Sequence, residues 1–148
     1  MKNEEGVEYM LISEKEVNYI KTVQNIKSFF GDFQQHSYIA GLLRPMIGSD
    51  GYLTHLENVG STKPRHGKRV VLESQHFVNQ YTDLINNMDE LYRLILINYY
   101  VNKKSDVAIS MEINYGIAQY KRIKKKAVIY LAMAIGVVAE KQELVNCD

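Results

Sequence analysis

Apolar positions recur at spacings of three and four along most of this chain, which is the signature of helices that bury one face. From Val17 the apolar set is Tyr19, Ile20, Val23, Ile26, Phe29, Phe30 and Phe33, a single stripe on an amphipathic helix. Ser13 followed by Glu16 has the spacing of a capping box at its start. A short further helical piece is expected around Ser37 to Leu43. The pattern resumes after Val70 with Phe77, Val78, Tyr81, Leu84, Ile85 and Met88, then Leu91, Leu94, Ile95, Ile97, Tyr99 and Val101. It predicts two helices, over 70–87 and 89–102, separated at Asn86-Asn87-Met88-Asp89, with Asp89 capping the second. The chain's only prolines are Pro45 and Pro64, so helices are permitted over 11–40 and 68–148.

The stretch 45–68, PMIGSDGYLTHLENVGSTKPRHGK, breaks the periodicity. It holds both prolines and a cluster of glycines, and reads as a solvated loop with room for a short strand at Tyr52 to Leu56. The alternative is that Lys63, Arg65, Lys68 and Arg69 touch a phosphate backbone.

Residues 103–126, KKSDVAISMEINYGIAQYKRIKKK, carry the most specific pattern. Ser105 is placed to cap a short helix ending near Glu112, with Val107 (or Ala108) and Ile109 on its buried side. Asn114 suits a turn that needs a left-handed residue. Gly116 then opens a second helix through Ile117, Tyr120, Ile123 and Ala127. Two helices joined by so short a turn make a helix-turn-helix, whose second helix enters the DNA major groove with its N-terminal residues at base edges. Tyr120, Ile123, Ala127 and Tyr130/Leu131 form the core face of that helix. Gly116, Ile117, Ala118, Gln119, Lys121, Arg122, Lys124, Lys125 and Lys126 are the candidate DNA-facing residues. Gln119 can read adenine and Arg122 guanine. Lys121 and Lys125 join them on DNA, and Lys124 and Lys126 fall on phosphates or flanks.

Charge sharpens this reading. The net charge of +1 conceals a split: 1–62 carry 5 Lys/Arg against 8 Asp/Glu, 63–126 carry 12 against 6, and 127–148 carry 1 against 3. The middle segment is therefore at +6, and five of its cations lie within 121–126. Such asymmetry marks a polyanion-binding region.

The order of these features resembles the ArpU family of phage-encoded transcriptional regulators, a late-gene and autolysin regulator group similar in shape to sigma-factor region 4. SEKEVNYIKTVQNIKSFFGDF resembles the family's N-terminal helix. LYRLILINYYVN, KSDVAISMEINYG and IAQYKRIKKKAVIYLAMAIG resemble its hydrophobic helix, helix-turn-helix and Lys-rich last helix. Two positions depart from the family pattern: Ser110 stands where a small Ala is usual, and Gly116 replaces a hydroxyl cap, so the second helix begins on a weaker N-cap. The resemblance implies an intracellular phage or prophage regulator, an activator of late genes, acting on promoter DNA in the bacterial cytoplasm.

Other classes are disfavoured. His36, His55, His66 and His76 show no metal-ligand spacing, and no phosphate-loop, dinucleotide or nucleophile-elbow motif occurs, so neither an enzyme nor a cofactor is expected. Asp89-Glu90 cannot face one another on a helix. The single cysteine, Cys147, makes no internal disulfide and reads as inert. MKNEEGVEYM lacks the order of a signal peptide, and the apolar run Ala127 to Ala139 is too short for a membrane span. That run is apolar nearly all round, so it belongs either to the core or to a homodimer surface. The expected fold is all-α: a helical bundle with a C-terminal helix-turn-helix and an extended last helix. An N-terminal helical segment (1–69) and a helix-turn-helix region (70–148) form one compact unit. The competing reading is a protein-interaction module. It would engage RNA polymerase, a sigma factor or a phage packaging assembly through the same motif without reading DNA.

Overall fold

The computed structural model describes residues 13–41, 47–48, 50–56 and 67–142. Lys63, Arg65, His66 and Cys147, singled out above, lie outside these residues, as does the end of the helical piece expected over 37–43. The described residues form five α-helices: α1 (Tyr19–Ile39), α2 (Lys68–Asn86), α3 (Glu90–Leu96), α4 (Asp106–Glu112) and α5 (Ile117–Ile135). No named strand occurs among them, and the fold is all-α.

The N-terminal boundary differs from the capping-box expectation. Ser13 caps only a single 3-10 turn (Glu14–Glu16), with its Oγ accepting from Lys15 N. The cap of α1 is Asn18, whose Oδ1 accepts from Lys21 N (3.1 Å). The piece expected after Ser37 is not a separate element up to Ile39. It continues α1, and the buried Ser37 hydroxyl is satisfied within the helix by donating to the Phe33 carbonyl (2.9 Å). Asp89 caps α3 as its sequence position predicts, accepting from Leu91 N (3.1 Å). α3 then widens into a π-helical turn at Ile97–Val101, closed by Asn102 N donating to the Ile97 carbonyl.

α1 and α2 pair antiparallel. Phe29 meets Tyr81 edge-on (5.0 Å), and one to two turns further along α1 His36 lies on Phe77 (4.1 Å) and shares a hydrogen bond with Ser74 Oγ. The main core draws on both halves of the chain: Ile26, Phe30 and Phe33 of α1, Val78 and Ile85 of α2, Leu96 and Tyr100, and Ala127, Val128, Leu131 and Ala132 of α5. The first half of the apolar run, Ala127, Val128, Ile129, Leu131 and Ala132, is therefore buried by its own chain, while Met133, Ile135, Val137 and Val138 beyond it are half-buried. The helix stops earlier than its apolar run. Gly136 takes a left-handed conformation (φ +77°), and Val137 N and Gly136 N turn back onto the carbonyls of Ala132 and Met133. The residues that follow are extended and tied to the start of α1. Asn18 N donates to Ala139 O (2.8 Å), Lys141 N to Glu16 O (2.7 Å), and Asn25 Nδ2 to Val137 O (2.8 Å).

The short strand for which Tyr52 to Leu56 left room does not form: apart from an isolated bridge between Leu53 and Ile47, the segment 53–56 joins no sheet among the described residues. α2 holds it instead. Asn86 Oδ1 accepts from Leu53 N while its Nδ2 donates to Leu53 O, and Asn79 brackets Leu56 in the same way. Seven helical residues span about 10 Å, and three extended ones span nearly the same, so the two amides meet the backbone in register. Tyr52, just before this segment, covers the buried guanidinium of Arg93 at 3.9 Å from its ring centre.

Candidate nucleic-acid interface

α4, the turn and α5 form a helix-turn-helix built from local capping. Ser105 Oγ accepts from Ala108 N (3.2 Å) and starts α4. Asn114 is left-handed (φ +60°), and the amides of Tyr115 and Asn114 return to the carbonyls of Ser110 and Met111. This is the Schellman closure, and asparagine tolerates its left-handed position better than any other side chain bar glycine. Gly116 is the N-cap of α5 and offers no side-chain bond. The departure at Ser110 is absorbed locally: the residue is buried, and its hydroxyl donates to Val107 O (2.8 Å).

A satellite core seats this pair on the bundle. Ile95 from α3, Ile109 from α4 and Tyr120 from α5 are fully buried against each other, with Leu91, Tyr99, Ile113 and Ile123 around them. Three helices each giving one buried side chain is the arrangement a three-helix DNA-binding unit needs to hold its last helix rigidly.

Polar contacts then fix the angle between α4 and α5. Asp106 Oδ1 accepts from the Tyr120 hydroxyl (2.8 Å) and from Lys124 Nζ (2.9 Å). Lys124 Nζ also sits 3.3 Å above the centre of the Tyr99 ring, with its side chain only 14% exposed. Burial pushes the Asp106 carboxyl up, but hydrogen bonds from Lys124 and Tyr120, with the charges of Lys124 and Lys121, outweigh it and hold the group below the ordinary carboxylate range. Burial, and then the bond to Asp106, push the Tyr120 hydroxyl far above its usual value, so it stays a neutral donor. Tyr19 and Tyr100, nearby, are raised chiefly by burial.

The candidate residues thus separate. Gly116, Ile117, Ala118, Gln119, Lys121, Arg122, Lys125 and Lys126 are all exposed. On a helix of 3.6 residues per turn, Ala118, Lys121, Arg122 and Lys125 share one outward arc, with Gln119 and Lys126 along one edge of it. Among the described residues, no carboxylate forms an ion pair with Lys121, Arg122, Lys125 or Lys126. Lys125 Nζ lies 5.3 Å from the Tyr19 ring centre. Lys124 stands apart: it faces inward, and its ammonium is engaged by Asp106 and Tyr99. Lys68 and Arg69 of the loop alternative belong to the first turn of α2, where Arg69 pairs with Glu73 (3.0 Å).

Sequence reasoning did not find Asp106 or Tyr99. No sequence signal marks the contact: Asp106 and Lys124 lie 18 positions apart on two helices divided by a turn, so periodicity along either helix does not relate them. The buried side of α4 also differs from the expectation: Ile109 is fully buried and Ala108 half-buried, but Val107 (59% exposed) lies 200° of helical rotation from Ile109 and, with Met111 (72% exposed) one turn on, presents an apolar side chain to solvent. No group of three His, Cys, Asp or Glu side chains among the described residues is placed to hold a metal ion. No helix among them is long and apolar enough to cross a membrane.

Over 134 residues, spanning 83% of this chain and 90% of its relative, the chain is 28% identical to Protein Gp66 of Listeria phage A118. No family model matches the chain, and no solved structure matches it significantly. The chain is therefore similar, along most of its length, to a phage protein.

Proposed function

We propose that this protein is a sequence-specific double-stranded DNA-binding regulator of transcription, a phage late-gene activator of the kind its resemblance to the ArpU family implies. One observation carries the reading: the first three turns of a second helix seated on a buried satellite core expose Lys121, Arg122 and Lys125 on one arc, and none of the three forms an ion pair among the described residues. In the complex, Ile117, Ala118 and Gln119 in the first turn approach base edges, Arg122 reads guanine, and Lys121, Lys125 and Lys126 meet phosphates. Lys124 acts as a positioning residue through Asp106. The similarity to a phage protein agrees with the setting.

The test is selection from a random duplex pool followed by anisotropy titration on the enriched sequence. A preferred site should emerge, and Arg122→Ala with Lys125→Ala should weaken binding and lower the slope of log K against log salt by about 0.9 for each lost phosphate contact. No enrichment, or a double variant that binds like wild type across the salt series, would refute the assignment.

The exposed pair Val107 and Met111 favours a second reading for α4: a protein contact, with RNA polymerase as the partner an activator needs. Met111→Glu should then abolish activation in a transcription assay while leaving DNA affinity unchanged. Loss of both together would place α4 in the DNA contact instead.

A further inference from the structure

A cleft of about 410 Å³ opens where α1 meets the turn before α4, lined by residues far apart in the chain. Its walls are Lys27 of α1 and Lys103 and Lys104 of the turn before α4. Its floor is Phe30, Tyr99 and Tyr100. Lys104 pairs with Glu112 (2.8 Å), whereas Lys27 and Lys103 form no ion pair among the described residues. The floor is aromatic but its faces are taken: Phe30 stacks on Tyr100 (4.7 Å, 4° between planes), and the Lys124 ammonium covers Tyr99. The cleft therefore offers cations without a free ring for a base to stack on, which selects a phosphate group over a nucleobase.

Two features connect it to α5. Tyr99 belongs both to the cleft and to the Lys124 contact, and Asp106, which holds Lys124, follows Lys103 by three residues. Lys103 also has a left-handed backbone (φ +57°), a conformation that lysine adopts at a cost and glycine adopts freely.

We infer that Lys27 and Lys103 form a second phosphate-binding site, which grips the DNA backbone beside the groove that α5 enters. This rests on the DNA-binding reading of α5 and extends its footprint to α1. The duplex is the occupant because the cleft presents two cations without ion pairs among the described residues and meets α5 at Tyr99, whose ring carries the Lys124 ammonium.

The backbone angle supplies a clean variant. Lys103→Gly removes the cation and relieves the left-handed conformation, so its melting temperature should equal or exceed that of wild type. It is combined with Lys27→Gln, and binding is followed by anisotropy on a labelled duplex of mixed sequence, since phosphate contacts are sequence-independent. Two lost contacts lower the salt slope by about 1.8, so between about 50 and 200 mM salt the variant should lose about twelve-fold less affinity than wild type. If Arg122→Ala with Lys125→Ala weakens binding while the Lys27/Lys103 variant matches wild type, the second site is refuted and the α5 reading stands. If wild type binds no duplex, both fall. A calorimetric titration with inorganic pyrophosphate is the last arm: saturable binding without DNA that Lys27→Gln removes would assign the cleft to a small anion and overturn the duplex as its occupant.

Discussion

Replacing Asp106 should loosen the helix-turn-helix before it disturbs the rest of the bundle. Its Oδ1 is the shared acceptor for a fully buried tyrosine hydroxyl and for an ammonium that is 14% exposed. Asp106→Ala leaves the Tyr120 hydroxyl without an acceptor, at about 1–3 kcal/mol. It also leaves Lys124 with only the Tyr99 ring, a partly buried cation without its counter-charge. Together these come to about 2–4 kcal/mol, against a total stability of about 5–15 kcal/mol for a domain of this size. Asp106→Asn keeps an acceptor oxygen and loses only the charge, so about 1–2 kcal/mol is expected. Tyr120→Phe removes the donor and strands nothing, at about 1 kcal/mol. Urea unfolding followed by tyrosine fluorescence and near-UV dichroism reads this directly, because the chain has no tryptophan and Tyr19, Tyr99, Tyr100 and Tyr120 gather around the pair. A double-mutant cycle between Asp106→Ala and Tyr120→Phe should show coupling of about 1 kcal/mol or more.

The pH dependence follows from the same contact. The carboxyl is held below its unfolded value, so its stabilisation is fully present above an unfolded pKa of about 3.9 and is lost as pH falls through the lower folded value. The difference between wild type and Asp106→Asn should be constant from neutral to mildly acidic pH and shrink only in strong acid. Additive single costs, or a difference that persists unchanged into strong acid, would refute the account of Asp106 as the hub.

Two further outcomes test the architecture. Asn79→Ala should release the extended segment by removing both bonds to Leu56, at about 1–2 kcal/mol, with amide exchange at Leu56 rising well before that of the α1 core. Gly116→Ser should stabilise α5 by a few tenths of a kcal/mol, since Gly116 has an ordinary extended backbone and an added Cβ meets nothing within 4 Å; a lower melting temperature would show that the position needs glycine.

The elements of this fold follow from periodicity because each helix buries a stripe that no other conformation can bury. The helix-turn-helix was readable because its signals are local: Ser105 caps through its hydroxyl three residues on, and Asn114 and Gly116 act through their own backbone conformations. The limits of α1 and α5 were less readable. Ser13-to-Glu16 has the spacing of a capping box but caps a 3-10 turn, and the apolar run past Ala127 gives no sign that Gly136 turns it back onto α1.

What sequence by itself determined is therefore local: helices, caps, the turn and the cluster of five cations. Tertiary structure decided how those cations divide. Lys124 and Lys125 are neighbours in the chain, yet 100° of helical rotation turns one into the contact with Asp106 and Tyr99 and leaves the other in solvent. It likewise buried Arg93 beneath Tyr52, converted Asn79 and Asn86 into a backbone bracket, and brought Lys27 beside Lys103. Each depends on residues distant in sequence meeting in space, and side-chain periodicity along one helix carries no information about what packs across from it.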